Sequence, residues 1–456
     1  MLASRQADSP PIGDSIDVLP PGPKEHPAVQ TLRWFYRPIP FLEDCRRRFG
    51  EAFSFKFVGF QTPMVMFSDP GAVKAVYGER RNGLPPGRNL VLEPLLGSRS
   101  VLLLEGDEHI SRRRLMLPAF HGERMRTYED VVRTAITGEI DRWPVGREFP
   151  IHPAMQSVTL EVILRAVFGV SDEARLGRLR VLLRQVLGRT ASPVAQLVGL
   201  AARRLGEHGP WQRFEQILGA ADEELLAEIA ERRADPELEQ REDILSMLIA
   251  ARFEDGEGMS DAELRDQLMT LLLAGHETTA TALAWTFDLL LHHPDQLERL
   301  REEVGSGDDA YLRGTITESL RLRPVLPIAG RRLAGELAVD GYELPAGTDV
   351  TPAIWMTHTR ADVYEEPYAF RPDRFADGGP DTYAWIPFGG GMRRCLGAAF
   401  AEFEMRIVLE EVVRRCRLEA VRPPEGIARR NVTLSPRHGT PVRLLERDPA
   451  REPAPA

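Results

Sequence analysis

The chain has 456 residues, a formal net charge of −10 and three cysteines. The acidic balance argues against nucleic acid as a partner, and so few cysteines argue against a disulfide framework. The length exceeds the roughly 250–300 residues of one regular core, so we expect two cores or one large irregular domain. Neither an N-terminal run of about 18 apolar residues nor a signal peptide is visible. The sequence therefore predicts a cytoplasmic protein without a membrane anchor.

Composition divides the chain into three parts. Residues 1–28 are rich in Pro, Asp and Ser, which predicts an extended or disordered segment. Residues 29–446 are predicted to form a single folded domain, and residues 447–456 a disordered tail. Within the domain, residues 80–100 combine Gly, Pro and Arg with scattered Leu. They are predicted to form a long loop, and such loops in compact domains are usually functional.

The longest predicted helix begins at a capping box formed by Ser260 and Glu263 and stops at Pro294. Its ~32 residues span about 48 Å at 1.5 Å per residue, so the helix crosses the molecule. Residues 268–275 are nearly all apolar and are predicted to be core.

Polar residues interrupt this helix at its centre. An unpaired Glu277 carboxylate in mid-core costs several kcal/mol, so it needs a partner or a function. Thr278 lies one turn after Ala274, and its hydroxyl can donate to that carbonyl. Gly275 lets a flat ligand or a water approach the backbone, whereas His276 points away from Thr278 and is expected to be structural.

A glycine run leads into a single cysteine near the C-terminus, at residues 388–401. A helical pattern begins at Cys395, which predicts a cysteine at a helix N-terminus, where a thiolate is favoured. Zinc would need several ligands at short spacing, and Cys45 and Cys416 are far away. One thiolate as the sole protein ligand suits haem iron.

This stretch resembles the haem-thiolate loop of the cytochrome P450 monooxygenases of the soluble bacterial type. The fixed positions of the family pattern are all filled, by Phe388, Gly391, Arg393, Cys395 and Gly397. The resemblance implies haem b as cofactor, with the cysteine as axial iron ligand, the phenylalanine over its sulfur and the arginine on a propionate.

Three further motifs carry the same resemblance. Ala274 to Thr278 matches the family's acid–alcohol motif, which implies catalytic roles in proton delivery for Glu277 and Thr278 and a cofactor contact for Ala274 and Gly275. Further propionate contacts are implied for His109, Arg113 and Arg331, with Arg332 as an alternative to Arg331. A buried network behind the haem is implied for Glu318, Arg321 and Arg374.

The resemblance also implies the fold: mainly α with small β-sheets, with the haem between the long central helix and the helix after the cysteine loop. The loop at 80–100 would cover the substrate pocket, and residues 188–193 would form a lid between two roof helices. The pocket is expected to include Leu271, Ala274, Val325, Leu326, Ile328 and Leu434.

The implied reaction hydroxylates or epoxidises an apolar small molecule, such as a fatty acid, terpenoid, steroid or polyketide, with O2. With no reductase domain in sight, electrons are expected from a ferredoxin and a ferredoxin reductase, docked by Arg112, Arg114 and Arg394 on a monomeric enzyme. Two alternatives remain open: a peroxygenase that uses peroxide directly, and a non-catalytic haem-binding sensor.

Overall fold

The computed structural model describes residues 19–58, 62–85, 88–190, 210–375, 378–379, 381–430 and 432–447. Helices predominate, as predicted. They are α1 (Pro27–Tyr36), α2 (Pro38–Phe49), α3 (Pro70–Gly78), α4 (Arg88–Leu96), α5 (Gly106–Met116), α6 (Glu129–Ile140), α7 (Ile151–Val162), α8 (Glu173–Thr190), α9 (Pro210–Arg233), α10 (Ile244–Ala250), α11 (Asp261–Leu291), α12 (Pro294–Ser306), α13 (Ala310–Leu322), α14 (Ile354–His358) and α15 (Ala398–Arg415).

The strands are short and form small sheets. They are β1 (Ala52–Phe55), β2 (Met64–Phe67), β3 (Glu148–Pro150), β4 (Arg331–Arg332), β5 (Leu337–Val339), β6 (Tyr342–Leu344), β7 (Asp349–Pro352), β8 (Cys416–Ala420), β9 (Ile427–Arg430), β10 (Thr433–Pro436) and β11 (Pro441–Arg447). One sheet has the order β1-β2-β7-β4, in which only β2 and β7 are parallel. Another has the order β3-β11-β8, and β5–β6 and β9–β10 are two-stranded.

Helix α11 is the central element, and its predicted start is confirmed. The Ser260 side chain accepts from the Glu263 N–H while the Glu263 carboxylate accepts from the Ser260 N–H. The helix has 31 residues and ends shortly before Pro294, which begins α12. It packs against α7, α9, α13, α15 and β10, so residues at its middle are surrounded by the rest of the protein.

Three clusters of buried apolar side chains hold these elements together. The largest joins α6 to α9 with α11, α13 and α15. A second lies between α3 and the four-stranded sheet. The third is aromatic and combines Trp34 and Phe41 of the first two helices with Phe53 and Phe55 of β1.

The predicted loop at 80–100 is wrong in its second half, because α4 occupies residues 88–96 with Pro94 inside it. Since Pro94 lacks an N–H and restricts its neighbours, the sequence pattern favoured a loop. The residues after α4 are tied to α11: Asp266 accepts from the Arg99 N–H, and Gln267 bonds both Val101 and Arg99. Tertiary contacts therefore order this segment.

The predicted ends of the domain are close to the observed elements. Helix α1 begins at Pro27, inside the segment expected to be extended, and β11 reaches Arg447. Residues 1–18 and 448–456 lie outside the described residues. So does half of the predicted lid at 188–193, since α8 is described to Thr190 and the next described residue is Pro210.

Candidate active site

The cysteine loop closes on itself before α15 begins. The Cys395 N–H donates to the Phe388 carbonyl at 2.9 Å, and Gly389 and Gly391 adopt φ of 67° and 64°, which only glycine adopts freely. Helix α15 starts at Ala398, with Gly397 as its N-cap. The prediction that the helix starts at Cys395 is therefore wrong by three residues.

The cysteine thiol is accessible yet deep in the protein. Cys395 is exposed, although burial is the largest influence on its thiol and raises its pKa. The Gly397 N–H, which hydrogen-bonds the sulfur, and the nearby Arg113 and Arg394 lower the pKa. The prediction that the helix N-terminus favours a thiolate is wrong for the protein without a bound metal, because burial raises the pKa of the thiol more than these groups lower it.

Tyr77 of α3 explains two glycines of the loop. A Cβ at Gly390 would overlap the Tyr77 ring, and one at Gly391 would overlap the Tyr77 carbonyl oxygen. The same ring lies 4.9 Å from the Arg331 guanidinium. These glycines are thus needed for packing against Tyr77, a residue that the sequence reasoning missed because it lies more than 300 positions away.

Basic side chains converge beside the loop. Burial and the charges of Arg393, Arg113 and Arg331 lower the pKa of His109 to about 4, so its ring is neutral. His109, Arg331 and Arg393 line a cavity of about 30 Å³. Arg113 and Arg331 form no ion pair within the described part of the chain. The cluster is suited to bind an anionic group.

Arg331 and Arg332, the two candidates for one propionate contact, have different partners. Arg332 makes a bidentate pair with Asp349, with both distances at 2.8 Å. Arg331 is buried and donates to the carbonyls of Gly330 and Gly390. Only Arg331 belongs to the basic cluster next to the cysteine loop.

The polar interruption of α11 has the predicted geometry. Thr278 Oγ1 donates to the Ala274 carbonyl at 2.5 Å. Ala274 is exposed although it lies in the middle of the central helix, and Gly275 and Thr278 are half-buried. The surface of α11 at these residues therefore faces an internal space rather than packed side chains.

Glu277 is directed toward α7 and β9. Gln156 Nε2 donates to Glu277 Oε2 at 2.5 Å, and His152 Nε2 and Arg430 Nε lie 3.6 and 3.7 Å from Oε1. Burial raises the pKa of Glu277, while Arg430, Gln156 and Thr281 act in the opposite direction. Glu277 can therefore hold a proton at a higher pH than an exposed carboxyl. Nothing in the sequence around these three partners indicated their role.

His276 has the expected surroundings for a structural residue. It is buried, and its Nδ1 lies 2.8 Å from the hydroxyl of Thr159 on α7, which also bonds the His276 carbonyl. Burial lowers the pKa of His276 to about 4. It joins α11 to α7 on the side away from Thr278.

The structure brings Glu318, Arg321 and Arg374 together. Glu318 and Arg321 are both 0% exposed and form a bidentate pair at 2.6 and 2.8 Å. Arg374 Nε is 3.6 Å from Glu318. Arg321 also donates to the carbonyls of His358, Pro367 and Ala369. The group links α13 to the chain before the cysteine loop.

The predicted pocket residues separate into different regions. Val325 and Leu434 are adjacent, because the Leu434 N–H donates to the Val325 carbonyl at 2.8 Å, and Leu271 packs on the main core. However, Leu326 packs beside the four-stranded sheet and Ile328 beside the aromatic cluster. Leu326 and Ile328 therefore pack against different side chains from Leu271, and a pocket shared by all six residues stays a prediction.

The three arginines predicted to dock a ferredoxin are also not equivalent. Arg112 is 6% exposed, pairs with Glu263 at 2.7 Å and lies 4.6 Å from the Phe253 ring. Arg114 pairs with Glu254 at 2.9 Å. Arg394 is exposed. The prediction is wrong for Arg112, because helix periodicity did not reveal its partner on α11.

The cytochrome P450 family model matches residues 20–440. The chain belongs to the cytochrome P450 family. It is 41% identical over 440 residues to cytochrome P450 135B1 of Mycobacterium tuberculosis, covering 95% of this chain and 92% of the relative. It is 40% identical to cytochrome P450 137 of the same organism, covering 87% and 84%.

A solved relative shows the same fold. The retinoic acid-bound cyanobacterial CYP120A1 is 25% identical, has a TM-score of 0.78, and the likeness covers 93% of this chain and 99% of that structure. The predicted P450 fold is thus confirmed, and the chain is a P450 monooxygenase with haem b as cofactor. Among the described residues, none of the helices is long and apolar enough to cross a membrane.

The residues present fit haem b. The basic cluster around His109 suits its two propionates, and the accessible Cys395 and Ala274 offer surfaces on the cysteine loop and on α11. Among the described residues, no group of three or more His, Cys, Asp or Glu could hold a metal ion. When bound, haem supplies the iron that activates dioxygen, with a protein thiolate as ligand.

Proposed function

We propose that this P450 inserts one oxygen atom from O2 into a C–H bond or an alkene of an apolar small molecule, with electrons from separate proteins. The observation that carries the proposal is the pair of Glu277 and Thr278 on α11. Thr278 is anchored at Ala274, and Glu277 is a carboxyl with a raised pKa held by Gln156. A buried acid next to a hydroxyl can donate protons during oxygen cleavage.

Each of the other candidate residues has a proposed task. Cys395 would hold the haem iron through its sulfur, and Arg113 and Arg394, with the Gly397 N–H, favour its thiolate. His109, Arg113, Arg331 and Arg393 bind the propionates. Phe388, which packs edge-on against Trp385 at 5.8 Å, shields the sulfur. The substrate pocket is lined by Leu271, Ala274, Val325, Leu326, Ile328 and Leu434.

For electron transfer we propose a ferredoxin and its reductase. Since Arg112 is buried against Glu263, the docking residues that remain of the predicted three are Arg114 and Arg394, which are both exposed. Electrostatic docking requires that electron-transfer rates fall as salt is added, and rates that are independent of salt would contradict it. A cytoplasmic location and a monomeric state remain predictions from the sequence.

One experiment separates this function from its two alternatives. The ferric protein is first screened for spectral shifts with apolar compounds, including retinoic acid because CYP120A1 was solved with it. Compounds that bind are then incubated with a surrogate ferredoxin, reductase and NADPH, or with peroxide alone. A monooxygenase forms product in the first mixture. Product only with peroxide would indicate a peroxygenase, and binding without product in either mixture would indicate a sensor.

A further inference from the structure

The Glu277 carboxyl lies among hydrogen-bond donors from two other elements. From α7, Gln156 Nε2 donates to Oε2 at 2.5 Å, and His152 Nε2 lies 3.6 Å from Oε1. From β9, Arg430 Nε lies 3.7 Å from Oε1. Oε1 is buried and has no hydrogen-bond partner within the described structure. The carboxyl thus makes one full hydrogen bond, and its other oxygen faces a histidine and an arginine.

Arg430 also fixes the position of the hydrogen on His152. Arg430 Nη1 lies 3.4 Å from His152 Nδ1, and since a guanidinium only donates, Nδ1 is the acceptor. The ring hydrogen is then on Nε2, which faces the Thr281 hydroxyl at 3.2 Å and Glu277 Oε1. His152 is 0% exposed, and burial, Arg430 and His276 lower its pKa to about 3, so the ring is neutral. Arg430 therefore acts on Glu277 by its charge and through the orientation of His152.

In the described part of the chain, Arg430 is the one permanent charge within ion-pair distance of Glu277. Gln156 and Thr281 are uncharged, and the neighbouring His276 is neutral and bonded to Thr159. Burial raises the pKa of Glu277, and Arg430 lowers it more than Gln156 and Thr281 do. The ionisation of this carboxyl therefore depends on a side chain from another element.

The backbone at Arg430 is anchored. Arg430 is the last residue of β9 and pairs in register with Thr433 of β10, whose hydroxyl donates to the Arg430 carbonyl at 2.8 Å. The next residue, Leu434, is bonded through its N–H and its carbonyl to other elements. The Arg430 side chain is 39% exposed. An anchored hairpin that no sequence motif includes thus brings a cation to Glu277.

We propose that Arg430 is a positioning residue for proton delivery, which holds the Glu277 carboxyl directly and through His152. The proposal rests on the proposed roles of Glu277 and Thr278, and it extends them to the β9–β10 hairpin. Arg430 favours the ionised carboxyl, so it makes Glu277 a stronger acid that releases its proton more readily. Without Arg430, no charge opposes the effect of burial, and the carboxyl keeps its proton to a higher pH.

The test is an infrared titration of the haem-loaded, resting protein. The C=O stretch of protonated Glu277 is the band that Glu277→Gln lacks, and its intensity against pH gives the midpoint of ionisation. Arg430→Gln should move this midpoint upward by about one pH unit, because it removes an opposite charge close to the carboxyl. Arg430→Lys keeps the charge and should retain most of the parent's midpoint. A residue with only a structural role would not move it.

Two further variants complete the test. Gln156→Leu removes the hydrogen bond to Oε2 and should move the midpoint in the same direction by a smaller amount. Arg437→Gln removes an exposed cation after β10, without an ion pair among the described residues, and should leave the midpoint unchanged. Thermal unfolding checks each variant, and Gln156→Leu carries the test if Arg430→Gln does not fold.

Turnover separates this inference from the function on which it rests. Glu277→Gln should form more peroxide and less product per NADPH, and full coupling in that variant would overturn the role of Glu277 itself. If Glu277→Gln is uncoupled while Arg430→Gln and Gln156→Leu keep the parent's midpoint, only the positioning role is wrong. An equal shift in Arg437→Gln would assign the effect to surface charge in general, which also overturns the proposal.

Discussion

The ionisation of Cys395 depends on neighbouring groups of the protein. Burial raises the pKa of the thiol, and Gly397, Arg113 and Arg394 only partly oppose this. Iron bound at the sulfur would supply the remaining stabilisation of a thiolate, since a coordinated thiol loses its proton outright. The proposed ligand and its metal would therefore stabilise each other.

Cys395→His is the direct test of this ligand. The carbon monoxide complex of the reduced parent should show the red-shifted Soret band of thiolate ligation, and the variant should lose it. Cys45→Ser is the control, because burial raises the pKa of Cys45 to about 12 and keeps it a thiol. A red-shifted band that persists in Cys395→His would place the ligand elsewhere.

Thr278→Ala should separate oxygen consumption from product formation. The variant loses a methyl group and the hydroxyl bonded to the Ala274 carbonyl, so haem content and ligand-induced spectral shifts should be almost unchanged. Without an ordered donor, a larger share of the electrons from NADPH should form hydrogen peroxide, and a smaller share should form hydroxylated product. The measurement is the ratio of product and peroxide to NADPH consumed.

Two substitutions calibrate that ratio. Thr278→Ser keeps the hydroxyl and should retain much of the coupling. Thr279→Ala removes a buried hydroxyl about 100° further around α11 and should leave coupling intact. Loss of coupling in Thr279→Ala alone would show that the neighbouring threonine faces the reacting oxygen.

At the scale of the elements, the pair of Glu318 and Arg321 connects α13 with the chain that leads to the cysteine loop. Arg321 donates to three backbone carbonyls from residues 358–369, and Glu318 accepts from the Arg371 N–H at 3.0 Å. His358 Nδ1 donates to the Arg321 carbonyl, and its Nε2 accepts from the Ile386 N–H. The segment before the loop is therefore held mainly through its backbone.

Glu318→Ala should cost roughly 3–5 kcal/mol of unfolding free energy, because it leaves Arg321 charged and unpaired in the core. We expect little soluble protein with bound haem, measured by yield and haem content. Glu298→Ala is the matched control, since Glu298 pairs with Arg301 at the same spacing on the surface of α12, at 3.2 Å. An exposed pair is worth at most about 1 kcal/mol, so that variant should load haem normally. Full haem content in Glu318→Ala would contradict the role of the network.

Elements specified by local signals could be predicted, and those that depend on distant partners could not. The capping box at Ser260 and the stop before Pro294 are local, and α11 was predicted almost to the residue. The order of residues 97–101 comes from Asp266 and Gln267 on another helix. The partner of Arg112 is likewise on α11. Candidate site residues that lie in a sequence motif, such as Cys395, Glu277 and Glu318, could be predicted. Gln156 and Tyr77 lie in no motif and could not.

For the whole molecule, Glu404 makes stability depend on pH. This residue of α15 is buried, one of its oxygens has no hydrogen-bond partner in the described structure, and burial raises its pKa to about 8 from an ordinary 4.5. The folded state therefore binds a proton that the unfolded state releases. Its contribution is fully present below about pH 4.5 and is lost as pH rises toward 8.

Glu404→Gln should remove this dependence, because an amide has no proton to lose. We expect the variant to gain about 4 kcal/mol over the parent at pH 8 and much less at pH 5, as the rise of the pKa from 4.5 to about 8 implies. The measurement is the urea midpoint at both values. Glu411→Gln, at a buried carboxylate of the same helix paired with Arg133 and Arg414, should instead destabilise the protein. If stability depended on pH in Glu404→Gln as it does in the parent, other titratable groups would be responsible for that dependence.

The contact of Tyr77 with Gly390 and Gly391 also bears on when the protein acquires its cofactor. More than 300 residues separate its two sides, so the contact cannot form until most of the chain has left the ribosome. Contacts of such long range form late in folding, because the entropy of closing the intervening loop must first be overcome. The cysteine loop is thus completed after α3 and the sheet beside it. We therefore expect haem insertion to be a late step of maturation, after the two sides of this contact have met.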